Sequence, residues 1–140
     1  MLRNLDAAIC LLLASCLAAC SQMQSMVGQD LTGLLTKQLG VSETQAAGGV
    51  GAMLKLAQEK LAAGDFDQVA NAIPGAPEYL DKARQLLGGR TIGNKAGLQD
   101  AFFELGLSPD MVDEFTPILT QFVGQTGGEQ AKNLLAGALK

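Results

Sequence analysis

The chain has 140 residues, a formal net charge of −4, three cysteines, and neither histidine nor tryptophan. Histidine is the side chain best suited to proton transfer and metal ligation near neutral pH, so its absence argues against a metal site, a cofactor and most enzymes. Acidic residues dominate the last third, with no Lys or Arg between the first and last of them: Asp100, Glu104, Asp110, Asp113, Glu114 and Glu129. Because nucleic-acid binding depends on neutralising phosphates, we expect no nucleic-acid partner.

A secretory signal is predicted at the N terminus. Arg3 precedes an apolar run, residues 7–19, which has signal-peptide length and is shorter than the roughly 20 residues of a membrane-spanning helix. The run ends in Leu17-Ala18-Ala19-Cys20, which resembles the cleavage box of bacterial lipoproteins. That resemblance implies diacylglycerol on the Cys20 sulfur, cleavage before Cys20 and acylation of the new amino group. An ordinary cleaved signal peptide is the alternative.

This processing divides the chain into three predicted parts. Residues 1–19 are the signal peptide that is removed, residues 20–29 are the lipid-anchored N terminus with a short tether, and residues 30–140 are one helical domain. The lipid on Cys20 would hold the protein on a membrane of the bacterial cell envelope. Ser21 is compatible with the periplasmic face of the outer membrane. No cysteine follows Cys20, so the domain depends on packing for its stability.

Apolar spacing and helix-breaking residues predict an all-α fold, a single small domain of about six to seven short helices. The loop at 88–95 is the one clearly irregular stretch. The predicted helices run from the mid-twenties to 39, from 43 to about 63, and over 66–73, 78–87, 96–105, about 109–123 and 129–139. Met23 and Met26 fall at helical spacing in the first of them and would lie in the core or face lipid or a partner.

Several helix boundaries are predicted from capping residues. Ser42 and Gln45 form a capping box, and Gly40 is a C-cap. Gly64 is expected to end the second helix, and Asp65 is expected to cap the third.

The second half of the chain carries further signals. Ser108-Pro109 is expected to open a helix with a serine N-cap. Pro117 should kink or split that helix, and Gly124 to Gly128 should form the next break. In the helix at 78–87, Leu86 is expected to face inward.

A repeat is visible around two similar segments. Leu39-Gly40-Val41-Ser42 is matched by Leu105-Gly106-Leu107-Ser108, and each is followed by a long helix, a break and a short helix. Gly51 and Pro117 occupy the same offset in the two long helices. This pattern predicts two copies of a three-helix unit, joined by the helix at 78–87 and its glycine loop. The alternative is that the two halves have similar helix-capping and helix-breaking residues without being copies of one unit.

Two groups of residues are candidates for an interaction surface. Gly48, Gly49 and Gly51 lie in one helix, where each interior glycine costs about 1 kcal/mol relative to alanine and therefore indicates a closely packed neighbour or a frayed helix start. Arg90 and Lys95 lie in the glycine-rich loop, which could contact an anionic headgroup or pair with the acidic last third. Loose charge pairing is the favoured interpretation.

The segment Leu39-Gly40-Val41-Ser42 with the following glycine-rich helix resembles the VcgC/VcgE family of bacterial proteins of unknown function, and the broader YidB-like group. Pro74-Gly75-Ala76, Leu107 to Met111 and the closing residues 127–139 extend the similarity over most of the mature chain. The resemblance implies an all-α fold and supplies no catalytic, cofactor-binding or metal-binding residues.

These features favour a non-catalytic interaction or structural module on the envelope, with an envelope protein or a second copy of the chain as its partner. Ser108 has no histidine to activate it, and the carboxylates at Asp65, Asp110 and Asp113 lie where helix starts favour acids. A lipid- or small-ligand-binding lipoprotein is the first alternative. A hydrolase that uses paired carboxylates is the second.

Overall fold

The computed structural model describes residues 31–140, and within them the chain folds into six helices without a strand. The helices are α1 (Leu31–Leu39), α2 (Glu43–Lys60), α3 (Ala63–Ala72), α4 (Ala76–Leu87), α5 (Lys95–Glu104) and α6 (Met111–Ala138). The predicted all-α fold is therefore confirmed. No helix in this part of the chain is long and apolar enough to cross a membrane.

Helix α2 lies at the centre of the core and contacts each of the other five helices. Between Val50 and Ala57, Lys55 alone is not fully buried. A helix that is apolar on nearly all sides must be surrounded by other elements, and this pattern explains why α2 is the central one. The second long helix, α6, buries a conventional stripe on one side, consisting of Val112, Phe115, Leu119 and Val123.

The capping box predicted at the start of α2 is confirmed. The Ser42 hydroxyl accepts a hydrogen bond from the Gln45 N–H at 3.1 Å, and the Gln45 side chain accepts one from the Ser42 N–H, also at 3.1 Å. The Gln45 amide group also donates to the carbonyls of Leu105 and Gly106, so the box ties α2 to the end of α5. The predicted C-cap of α1 is confirmed too, since Gly40 has the left-handed φ of +67° that glycine tolerates best.

The boundary between α2 and α3 differs from the prediction. The two helices are joined by Leu61-Ala62, whose extended backbone (ψ 151° and 154°) ends α2 without a glycine. Gly64 does not end α2, and Asp65 does not cap α3. Both lie in the first turn of α3, where the helix dipole favours the Asp65 carboxylate.

Helix α4 is longer than predicted, and Leu86 on it does not face the core as expected. It begins at Ala76, because Pro77 fits the first turn of a helix, where its missing N–H would have no partner. Leu86 was expected to face inward and is 43% exposed. It lies at the edge of the contact with α2, opposite Gly48, which offers no side chain to cover it.

Helix α6 is not split at Pro117. The helix continues through this residue, and the hydroxyls of Thr116 and Thr120 donate to carbonyls one turn back, those of Val112 and Thr116, at 2.6 and 2.8 Å. The predicted break at 124–128 is confined to Gly128, whose φ of +83° and ψ of 175° are non-helical. Residues 124–127 remain helical.

Ser108 is not the N-cap of α6. The helix begins at Met111 after Asp110, and no side chain caps its start within the described residues. The Ser108 carbonyl accepts the Met111 N–H at 3.0 Å, so a backbone turn leads into the helix where a serine hydroxyl was expected to do so. Proline at position 109 favours this turn, because its fixed φ suits a helical entry.

Many residues sixty-six positions apart are buried in both halves of the described chain. Pairs buried in both halves are Leu35/Ala101, Val41/Leu107, Ala46/Val112, Met53/Leu119, Ala57/Val123, Val69/Leu135 and Ala72/Ala138. The breaks match as well, since Ala62 precedes α3 and Gly128 interrupts α6. Helix α1 packs on α6, as α5 packs on α2. The three-helix unit suggested by the sequence therefore has a counterpart in the packing, and α4 joins its two copies.

The two serines at equivalent repeat positions should differ in their contribution to stability. Ser42→Ala removes a side-chain cap and should lower the free energy of unfolding by about 1 kcal/mol. Ser108→Ala removes no cap and should leave stability almost unchanged. Urea unfolding of both variants measures the difference, and an equal loss in the two would mean that Ser108 caps α6 after all.

Candidate functional site

The predicted lipidation site, Cys20, lies outside the described residues. The same is true of the tether at 20–29 and of its methionines, Met23 and Met26. The remaining candidates, the three glycines of α2 and the two basic residues of the loop, all fall within residues 31–140 and can be placed.

The glycine-rich face of α2 is in the interior of the domain. A Cβ built on Gly51 would lie under 3.0 Å from the backbone carbonyl of Tyr79 and the Cβ of Ala83, both on α4. A Cβ on Gly49 would lie 2.7 Å from the Phe115 ring of α6. The predicted close approach of a neighbouring helix therefore exists, and that neighbour belongs to the same chain.

The third glycine of this face is buried as well. A Cβ on Gly48 would lie 2.8 Å from the Leu105 side chain, which follows α5. With Gly48, Gly49 and Gly51 all buried, this face is covered by the chain's own helices and is not open to a partner. The expected interaction surface on these glycines is corrected accordingly, because their lack of side chains serves internal packing.

Gly51→Ala should destabilise the domain by about 1–3 kcal/mol, because the new methyl group overlaps backbone that can move only if α4 shifts. Gly64→Ala is the matched control, since Gly64 is also helical and nothing lies within 4 Å of a Cβ built there. The control should be neutral or gain up to about 1 kcal/mol. Thermal or urea unfolding distinguishes the two, and a neutral Gly51→Ala would contradict the close packing of α2 on α4.

Arg90 and Lys95 both form ion pairs with the acidic last third. The Arg90 guanidinium lies 2.6 Å from the Glu104 carboxylate, and the Lys95 ammonium contacts Asp113. All four side chains are 40% exposed or more, so each pair adds at most about 1 kcal/mol. The charge pairing favoured from the sequence is what the structure contains, and it holds the loop and the start of α5 against their neighbours.

A residue that the sequence analysis did not single out, Glu59, binds the loop more closely. Its carboxylate accepts the N–H of Ile92 at 3.0 Å and that of Gly93 at 2.7 Å, and it lies 3.6 Å from the Lys55 ammonium. Ile92 is 5% exposed, so the loop is fixed both by this clamp and by a buried side chain. An acid in the last turn of a helix is disfavoured by the dipole, and that was the available signal that Glu59 has a partner.

Within residues 31–140 the most exposed aromatic side chain is that of Phe103, on α5, at 72%. It lines a shallow surface groove with Leu107, Ser108 and Pro109. Its neighbour Phe102 is fully buried and meets Phe115 edge to face, with ring centroids 5.0 Å apart. Two adjacent phenylalanines cannot share one helix face, and this spacing was the sequence signal that Phe103 points outward.

A second surface groove, of about 410 Å³, lies beside the start of α4. Thr32, Ala47, Gly75 and Tyr79 contribute to its lining, together with the carboxylates of Glu43 and Glu78. Each of these acids is in the first turn of a helix, α2 or α4, where the helix dipole stabilises a carboxylate. Their positions therefore have a structural explanation.

The described helices contain no group of three or more His, Cys, Asp or Glu residues that could hold a metal ion. What residues 31–140 present is a small all-α domain with an exposed phenylalanine, surface grooves of mixed polarity and a loop held by ion pairs. This defines the class as a small all-α domain.

Comparison with protein families assigns the chain to a family. Residues 14–140 match the VcgC/VcgE family of proteins of unknown function, and the chain belongs to that family. The resemblance carried by Leu39 to Ser42 and the segments after it is thus confirmed. No curated protein and no solved structure matches the chain significantly.

Proposed function

We propose that this protein is a lipid-anchored module of the bacterial cell envelope that acts by binding and not by catalysis. The anchor is argued from Leu17-Ala18-Ala19-Cys20, where the cysteine follows the small residues of a signal-peptide cleavage site. The diacylglycerol on the Cys20 sulfur and the acyl group on its amino nitrogen carry three acyl chains together, which would provide stable attachment that one chain alone does not. Ser21 is compatible with the periplasmic face of the outer membrane, which is the location we favour.

The observation that carries the binding role is the 72% exposure of Phe103. Exposed aromatic rings are enriched in protein interfaces, where they supply large apolar contact at low entropic cost. Asp100 precedes Phe103 by one helical turn, and Asp110 follows the groove that Phe103 lines; both are exposed. An apolar centre between carboxylates suits an envelope protein with basic residues around an apolar patch.

Self-association through the same surface is less favourable. A two-fold contact centred on Phe103 would bring the carboxylates of Asp100 and Asp110 toward their own copies, and like charges that face each other cost energy. The acidic last third as a whole would add to this repulsion. We therefore propose a second protein as the partner.

A lipid- or small-ligand-binding role is the alternative, and it would use the groove beside the start of α4. Its volume of about 410 Å³ is in the range of ligand sites. Its lining includes two carboxylates, however, which disfavour an acyl chain. A carboxylate hydrolase would use the same pair, Glu43 and Glu78, whose placement at helix starts needs no catalytic reason.

The anchor is tested by the intact mass and the N-terminal peptide of the protein purified from membranes. We expect a chain that starts at Cys20 and carries diacylglycerol and an additional acyl group. Cys20→Ala should leave an uncleaved chain without lipid. An unmodified chain starting near residue 20 would overturn the anchoring proposal and leave a secreted domain.

The binding surface is tested with a photo-crosslinking amino acid at position 103 in intact cells. We expect one discrete cross-linked species that disappears in Asp100→Lys, since the reversed charge opposes a basic partner. The same probe at Gln130, an exposed position on α6, is the control and should give no such species. A cross-link between two copies of the chain would overturn the proposal of a second protein, and no cross-link at 103 would remove Phe103 as the binding residue.

A further inference from the structure

The groove of about 410 Å³ beside the start of α4 collects negative charge without a positive partner. Glu43 of α2 and Glu78 of α4 both line it, and none of the described residues in its lining is Lys or Arg. Both glutamates are exposed, and neither belongs to an ion pair within residues 31–140. Two carboxylates in one groove repel each other, and a bound cation would relieve that repulsion.

A buried hydroxyl group belongs to the same groove. Thr32, in the first turn of α1, is 6% exposed and lines the groove. Its hydroxyl takes part in none of the hydrogen bonds of the described residues. Polar groups inside a folded domain normally have a hydrogen-bond partner, so an unpartnered hydroxyl beside two carboxylates indicates a polar ligand.

The groove is kept open at Gly75, where an acid and an aromatic ring meet. A Cβ built on Gly75 would lie 3.7 Å from the Glu78 carboxylate and 4.0 Å from the ring of Tyr79. A side chain at this position would therefore fill space that these two groups border. Their neighbourhood places a negative charge and the edge of an aromatic ring on one side of the groove.

The helix dipoles explain each carboxylate singly but leave the groove negative. Glu43 and Glu78 lie in the first turns of α2 and α4. A helix N terminus carries roughly +0.5 of an elementary charge, so two such termini offset about half of the charge on two carboxylates. About one negative charge then remains in the groove, and one monovalent cation would match it.

The lining favours a flat organic cation over a metal ion. Residues 31–140 contain no group of three or more potential metal ligands, whereas a calcium ion needs about six to eight oxygens. A guanidinium group is planar, with N–H donors along its edges and a face that stacks on aromatic rings. The groove offers both kinds of contact, since its oxygen acceptors come from three different helices and an aromatic ring lies beside them.

We propose that this groove binds a guanidinium group. The carboxylates of Glu43 and Glu78 and the Thr32 hydroxyl oxygen would accept its N–H groups, and the Tyr79 ring would lie against its face. An arginine side chain of a protein and a small free guanidinium compound share this chemistry. The site uses neither Cys20 nor Phe103, so it holds or fails independently of the proposed anchor and of the proposed binding surface.

Titration of the purified, isotope-labelled chain with Nα-acetyl-arginine amide, followed by NMR amide shifts, tests the proposal. We expect saturable shifts at Thr32, Ala47 and Gly75, which line the groove. Nα-acetyl-citrulline amide has nearly the same shape without the charge and should bind at least about tenfold more weakly. Nα-acetyl-lysine amide should also bind more weakly, because a compact ammonium group cannot stack and bridge in the same way.

Paired variants separate the site from general charge and from folding. Glu43→Gln and Glu78→Gln should each raise the Kd at least about fivefold, because each removes a charge-assisted hydrogen bond. Glu114→Gln removes an exposed acid from the first turn of α6 and should leave the Kd unchanged. Thr32→Val should raise the Kd without lowering the free energy of unfolding, since the hydroxyl that it removes has no partner in the described chain. Thr36→Val, which removes another unpartnered hydroxyl of α1, should leave the Kd unchanged.

Several results would overturn the proposal. They are the absence of saturable shifts, equal affinity for the arginine, lysine and citrulline compounds, equal effects of Glu78→Gln and Glu114→Gln, and a Thr32→Val variant that loses stability but keeps its Kd. A final comparison, of methylguanidinium with a short apolar peptide that contains one arginine, distinguishes the two sources. Equal affinities would support a small free compound, and at least about tenfold tighter binding of the peptide would support an arginine side chain of a protein.

Discussion

The close contact between Gly51 of α2 and the Tyr79 carbonyl of α4 is the constraint on which the arrangement of the helices depends. Helices usually pack 8–10 Å apart, and a shorter approach needs a residue without a side chain at the contact. Helix α2 contacts all five other helices of the described chain. The absence of a side chain at Gly51 therefore fixes where α4 lies, and its absence at Gly49 fixes where Phe115 of α6 lies. Each glycine weakens α2 by about 1 kcal/mol, and the burial of Val50, Leu54 and the rest of the helix offsets this.

Features that depend on a few neighbouring residues could be predicted from the sequence. The capping box at Ser42 and the left-handed Gly40 involve only local backbone and side chains, and both were correct. Gly64 and Ser108 are also residue types that favour helix boundaries, but Gly64 does not end α2 and Ser108 does not cap α6. In those places the backbone forms the helix boundary: an extended Leu61-Ala62 link separates α2 from α3, and a turn after Ser108 leads into α6.

The candidate site was harder to predict, because its residues act through distant partners. The glycines signalled a close approach, but the sequence alone could not show that the approaching helix belonged to the same chain. Arg90 and Lys95 were recognised as basic, and their pairing with the acidic last third was the favoured interpretation. The clamp from Glu59 to the N–H of Ile92 spans more than thirty residues, and no spacing rule predicts a contact of that kind.

The internal repeat separates positions required for packing from positions that are free to change. Equivalent core positions, such as Met53 and Leu119, stay apolar in both halves, because either copy would lose its core otherwise. Three polar positions instead change together, since Lys55, Glu59 and Glu104 correspond to Gln121, Gln125 and Gln38. Ion pairs suit a surface loop that is joined at both ends and partly exposed, where solvent screens any mismatch. Neutral amides can still form hydrogen bonds with the backbone, and they leave no charge unpaired where the opposite charge is absent.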